Sequence, residues 1–357
     1  MRQLNKFHVV CALALCSIFL SAWFLLSHGY YRRVLPANEL VSDFHTAATT
    51  FDHRLVVFGD SWSDNTAGKL QGSVWTDTLC SLFSCHQENL AQTARSLRGN
   101  YIGSVVDNTE LTGTLLNIYK SPLADLKAQV SQWAAAEHEA VQRLAGDPAV
   151  HQQQRANRTI VAISFGVWDV WNLVGKGYEA GRETVDRSVG VIMEQLGVLS
   201  QTLASSDLKV ILTLTPDVTF LPAFRPVATQ QIGRHKAAVK ITEYWNRQLR
   251  GAAEKWDQGT IYLFDTNAFL ADLIRDWQLF AAGIEEPNGL GKNLEPGWEN
   301  VEDACVESGQ QLVMTSAEKR CDDPDKYLFW NEMHMGPSAH RLMGREVFHG
   351  IEEQWLR

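Results

Sequence analysis

Four short apolar runs, each followed by a helical pattern, constrain this chain more than any other feature. They are RLVVF at 54–58, TIVAISF at 159–165, LKVILTL at 208–214 and TIYLF at 260–264. They end at Gly59, Gly166, Thr215-Pro216 and Asp265. Runs rich in Val, Ile and Leu without strict alternation suit strands buried on both faces. Helical patterns lie at about 123–144, 184–204, 231–256 and 267–280. A last helix is expected from 337 to about 349, with Pro337 in its first turn. Strand–helix alternation of this kind predicts an α/β fold, a doubly wound parallel sheet with helices on both faces. No linker interrupts the alternation, so 51–357 reads as one domain. The polar stretch 285–326 reads as a long loop.

The N-terminus carries a different signal. Residues 9–26, VVCALALCSIFLSAWFLL, hold no charge. A helix of that length spans about 27 Å, close to a bilayer's hydrocarbon core. A cleavable signal has a shorter apolar core and a small-residue cleavage site, and Ser27-His28-Gly29 is a poor one. The expected organisation is a short cytoplasmic tail at 1–8, a transmembrane signal anchor at 9–28, a stem at 29–50, and the domain on the far side. The domain would then be lumenal or extracellular, or secreted if the segment were cleaved.

Cysteine usage agrees with that compartment. Cys11 and Cys16 lie in the apolar run, leaving Cys80, Cys85, Cys305 and Cys321. Four cysteines allow three pairings, of which the simplest joins Cys80 to Cys85 and Cys305 to Cys321. An even count beyond a signal-type segment suits an oxidising compartment; the alternative is four buried thiols. Asn157-Arg158-Thr159 is a sequon, and Asn157 would be a surface glycosylation site there.

Charge narrows the partners. With 32 Lys and Arg against 41 Asp and Glu, the formal net charge is −9. That argues against nucleic acid, which needs a basic footprint. No zinc-type His or Cys spacing and no Gly-rich phosphate loop occurs, so neither a metal nor an organic cofactor is expected.

Chemistry points to the two ends of the domain. The first strand runs into Gly59-Asp60-Ser61, and parallel sheets build their sites at the carboxyl ends of strands. A serine there is most often a helix cap, and it becomes a nucleophile only with a base nearby. The candidate base is His334, in Trp330-Asn331-Glu332-Met333-His334, just before the last helix. His340, six residues on, reads as structural.

Taken together, these segments resemble the GDSL, or SGNH, hydrolases. Phe58-Gly59-Asp60-Ser61-Trp62-Ser63-Asp64 is similar to that family's first block, FGDS-x-(S/T)-D. Trp330-Asn331-Glu332-Met333-His334 is similar to its last block, W-D-x-x-H. Glu88-Asn89-Leu90-Ala91 resembles the second block, and Phe165-Gly166-Val167-Trp168-Asp169 falls where the third, G-x-N-D, is expected. The 305–321 loop before the last block looks like that of fungal and plant-type members. The resemblance covers about 51–357. It implies a flavodoxin-like fold and ester hydrolysis, with Ser61 attacking an acyl carbonyl and His334 moving its proton. Gly59, Asp60, Asn89, Gly166, Trp168 and Asp169 would then line the oxyanion site or cleft, with Trp62 the best candidate for a substrate contact.

Three departures from the family pattern carry physical weight. Asn331 stands where the family has the triad aspartate. Trp168 replaces the asparagine that donates to the oxyanion, and the second-block glycine is replaced near Thr93 or Ala94. An asparagine can accept the histidine N–H but cannot stabilise imidazolium by charge. Asp322, Asp323, Asp325 or Glu332 are candidate substitutes. The indole of Trp168 offers one N–H donor, and packing against the sheet end is its duller role. Asn65, Asn89 and Asn172 are alternative donors.

The expected function is a serine esterase acting on a carbohydrate or lipid acyl ester. The alternatives are an O-acyltransferase using the same serine and a catalytically weak homologue that binds glycans or proteins.

Overall fold

Strand β1 (Arg54–Gly59) is buried along its whole length, as an apolar run at the centre of a parallel sheet must be. In the computed structural model, which describes residues 53–67, 71–95, 101–111, 123–225, 232–284, 297–307 and 319–356, it lies between two parallel neighbours. These are β2 (His86–Asn89) and, passing over the hairpin strands β3 (Thr93–Arg95) and β4 (Tyr101–Gly103), β5 (Thr159–Ser164). Strands β6 (Leu208–Thr213) and β7 (Gly259–Phe264) complete a five-stranded sheet in the order β2-β1-β5-β6-β7. Every pairing within it is parallel, and the order is that of the flavodoxin type.

The four expected strands are all present. The fifth, β2, was not among them because its sequence, HQEN, is polar. It is an edge strand, and its Glu88 points into a buried ionic cluster rather than into an apolar core.

Eight α-helices surround the sheet among the described residues. They are α1 (Trp75–Phe83), α2 (Leu126–Arg143), α3 (Pro148–Arg158), α4 (Val167–Leu173), α5 (Tyr178–Leu203), α6 (Ile232–Ala253), α7 (Thr266–Ala281) and α8 (Pro337–Ile351). Their starts follow local chemistry. Asp125, Asp147 and Asp265 each accept a backbone N–H in the first turn of α2, α3 and α7. Pro337 opens α8 at a position where no N–H is needed. Helices α1, α3 and α4 were not expected, and α5 begins at Tyr178, earlier than its apolar periodicity suggested. α2 packs on α5 and α5 on α6, while α1 packs on α8.

The stretch expected as a loop at 285–326 is partly ordered into strands. Short β8 (Asn300–Ala304) pairs with β11 (Tyr327–Phe329), and β9 (Val306–Glu307) pairs with β10 (Lys319–Arg320). Both cysteine pairs are disulfides of the simplest pattern, Cys80–Cys85 and Cys305–Cys321. The second closes the base of the β9–β10 ribbon, which two backbone bonds tie to the segment before Asn331: Cys305 N–H donates to Phe329 O and Val306 N–H to Trp330 O. Replacing Cys305 by serine is expected to destabilise the domain by about 2–5 kcal/mol. Thermal melts of wild type and variant test this, and coincident curves would refute it.

The apolar run at 9–28 and the stem at 29–50 lie outside the described residues. Among the described residues no helix is long and apolar enough to cross a membrane, and no group of three metal-ligating side chains occurs.

Candidate functional site

The carboxyl end of β1 turns sharply at Gly59-Asp60-Ser61, and the turn is fixed from several sides. The Gln129 amide holds the Gly59 peptide at both ends, accepting its N–H at 2.9 Å and donating to its carbonyl at 3.0 Å. Asp60 N–H donates to Ser164 O on β5, and Gln71 donates to Ser61 O at 2.7 Å. The Asp60 carboxylate accepts the Trp62 N–H at 2.9 Å. Gln129 and Gln71 carry no motif, and sequence reasoning missed both.

His334 is held on the opposite side. Its Nδ1–H donates to Asn331 Oδ1 at 2.8 Å, and the same oxygen accepts the Met333 N–H at 2.9 Å. Asn331 is therefore the partner of the imidazole, ahead of Asp322, Asp323, Asp325 and Glu332. Asp325 is engaged with Ser338 and Arg341 instead. This bond fixes the proton on Nδ1 and leaves Nε2 as the basic nitrogen. Burial pushes the His334 pKa down to about 3, so the ring is neutral at physiological pH. His340, on α8, is fully buried, and neither of its ring nitrogens has a hydrogen-bond partner among the described residues. Its pKa also falls to about 3, from burial first and the nearby His334 second.

Trp62 and Trp168 join the two ends of the chain. The Trp62 indole N–H donates to Met333 O at 2.9 Å, tying the serine turn to the histidine loop. At 3% exposure it is buried, with its N–H committed to that carbonyl. The Trp168 indole N–H donates to Ser61 Oγ at 2.8 Å, and its ring lies 6.3 Å from that of His334. The third-block tryptophan thus stands on the candidate nucleophile rather than merely lining the sheet end. Ser61 and His334 are 0% and 3% exposed.

The other polar candidates sit nearby in supporting positions. Asn89 donates to Ser63 O and accepts from Ala91 N–H, Asn172 donates to Trp168 O, and Asn65 donates to Asp77. All three side chains are committed away from Ser61 Oγ. Gly166 caps α4 with φ +125°, and a Cβ there would lie 1.7 Å from Thr215 Oγ1, so only glycine fits. Asp169 accepts the Val106 N–H at 2.9 Å, and burial pushes its carboxyl up to about 7. Burial also raises the Asp60 carboxyl well above the usual range, with Asp169 adding to the effect.

Thr93 and Ala94 lie on β3, and a glycine of the neighbouring strand approaches Ser61 instead. In the β3–β4 hairpin Gly103 pairs with Thr93. A Cβ at Gly103 would fall 2.3 Å from Trp168 Nε1 and 2.7 Å from Ser61 N. That bare backbone is what lets the indole and the Ser61 amide approach each other. No sequence signal separates Gly103 from other glycines, because its role depends on the hairpin register.

Asn157 lies exposed near the end of α3, where it accepts from Gln153, while Thr159 of the same sequon is buried. Comparison with protein-family models finds none that matches the chain, and comparison with curated proteins finds no match.

Proposed function

We propose that this protein is a serine-dependent ester hydrolase of the GDSL type, acting on an acyl ester of a carbohydrate or lipid. The observation that carries the reading is the cluster of Ser61, Trp168, His334 and Asn331 at the carboxyl end of β1. It joins a serine at a tight turn, an N–H donor on its oxygen and a neutral imidazole whose tautomer is fixed. In the reaction, Ser61 Oγ forms a bond to the acyl carbon as its proton passes to His334 Nε2. The tetrahedral intermediate expels the alcohol, which takes that proton. Water then attacks the acyl-enzyme by the same route and releases the acid. The Ser61 N–H and the Trp168 indole N–H are the donors proposed for the oxyanion.

The two disulfides suit a lumenal or extracellular site of action, reached through an anchor or signal at 9–28. Glycosylation at Asn157 belongs to the same reading.

The test is hydrolysis of p-nitrophenyl acetate by the full chain beside Ser61→Ala, with fluorophosphonate labelling in parallel. Turnover and labelling are expected in wild type and absent in the variant. Equal turnover in both would overturn the proposal. A second reading, a catalytically weak protein that binds an ester or glycan, is favoured by one observation: the indole covering Ser61. It predicts binding without turnover in the same samples.

A further inference from the structure

Trp168 lies against the Ser61 side chain. Its N–H edge contacts Oγ at 2.8 Å, and the nucleophile has no exposed surface. The contact is clamped from behind, since the Gly103 backbone leaves no room even for a methyl group beside Nε1. The Trp168 main chain is fixed as well. It lies in the first turn of α4, its carbonyl accepts from Asn172 at 2.7 Å, and the next residue, Asp169, holds the Val106 N–H. The side chain, itself only 6% exposed, is the part that would have to give way. An acyl carbon cannot reach bonding distance of Oγ until the indole withdraws. A ring confined by a fixed helix and the Gly103 backbone can withdraw only a little.

We infer that Trp168 is a displaceable cover on Ser61 that shields the nucleophile and restricts the site to the smallest acyl groups. The shielding stands on the geometry alone; the acyl selectivity rests on the hydrolase reading above. A short acyl group such as acetyl needs the least displacement. Once moved, the indole N–H can turn from Oγ onto the oxyanion that forms beside it. A longer chain would have to occupy the volume that the ring still holds.

Two experiments on the full chain test the two halves separately. The first places a thiol at the nucleophile with S61C and follows its reaction with methyl methanethiosulfonate by peptide mass. This readout needs no hydrolysis. Labelling is expected to be about tenfold faster, or more, when W168A is added, a barrier change of about 1.4 kcal/mol. W168F, which keeps the bulk and loses the N–H, should stay slow. W168N gives a second opening variant should W168A melt early. Equal labelling rates with and without the indole would overturn the cover.

The second experiment compares p-nitrophenyl acetate, butyrate and octanoate. Wild type is expected to prefer acetate; W168A, slowed on every ester by the lost oxyanion donor, should show a higher octanoate-to-acetate ratio of kcat/KM. Equal use of all three by wild type would overturn the selectivity while leaving the hydrolase reading intact. Turnover insensitive to Ser61→Ala would instead overturn the hydrolase reading, and the labelling rates would still judge the cover.

Discussion

Asn331→Asp is expected to raise Ser61-dependent ester turnover by about 10²-fold, and by at most the roughly 10⁴ that the reverse change costs a serine protease. The amide oxygen already sits 2.8 Å from His334 Nδ1 and also accepts the Met333 N–H. A carboxylate of the same shape would inherit both donors. What it adds is charge. When His334 takes the Ser61 proton it becomes imidazolium in a buried site, where an amide dipole stabilises it far less than an anion does. An unchanged or lower rate would remove Asn331 from the role of histidine partner.

The pH profile gives an independent reading of the same change. Burial alone holds the His334 pKa down at about 3, and the base is the neutral form. Activity in wild type should therefore persist as pH falls well below the ordinary histidine value of about 6.5. The carboxylate introduced by N331D favours imidazolium and raises that pKa, so the acid limb of kcat/KM moves to higher pH. A limb near the ordinary value in wild type would contradict the effect of burial, and coincident limbs would contradict the charge argument.

The largest effect on stability is expected far from this site. At the amino end of β1, Arg54 makes paired bonds to Glu88 and Glu137, with a further bond to Thr159. Arg155 binds Glu137 at 2.8 and 2.7 Å, and the Trp133 indole N–H donates to Glu88 at 2.8 Å. All four charged side chains are buried. Glu137→Ala removes the carboxylate that Arg54 and Arg155 share in this buried cluster, at a cost of about 3–5 kcal/mol. Glu110→Ala, which breaks an ion pair with exposed Arg187, should cost less than about 1 kcal/mol. Denaturant midpoints for the two variants decide the matter, and equal losses would deny the cluster its special role.

The cluster also has a pH signature. Burial opposes ionisation of Glu137, but Arg54 and Arg155 outweigh it and hold the pKa at about 2. A carboxyl lowered in the folded state stabilises it fully above its unfolded value of about 4.5 and loses that contribution as pH falls toward 2. The cost of Glu137→Ala should therefore shrink across that window. Glu88, which burial raises despite Arg54, acts in the opposite sense; the Glu137 charge adds to that rise, so its removal offsets part of the effect. A cost independent of pH would place the effect in lost packing instead.

Particular elements show how far the chain could be read from its residues. Strands β1, β5 and β6 were legible because strands buried on both faces must be apolar throughout, and β7, a partly buried edge strand, because its residues TIYLF are apolar all the same. β2 was not, because Glu88 enters the sheet through its ionic partners, and those lie 34 residues or more away in sequence. Ser61 and His334 were legible as local motifs beside a strand end and a helix start. Their supports were not: Gln129 reaches Gly59 across 70 residues, and Trp168 reaches Ser61 across 107.

Residues close together along the chain were enough to specify the α/β alternation and the serine turn, and to offer Asn331 and the local disulfides as candidates among alternatives that the folded molecule then decided. Periodicity, turn chemistry and short loop closure act directly at that range. The placement of Gly103 beside Ser61, the Trp62 bond to Met333 O and the Trp168 indole on Ser61 Oγ came only with the folded molecule. Those facts arise from hairpin register and helix placement. Both are set by the packing of the whole core, and no local stretch of sequence encodes them.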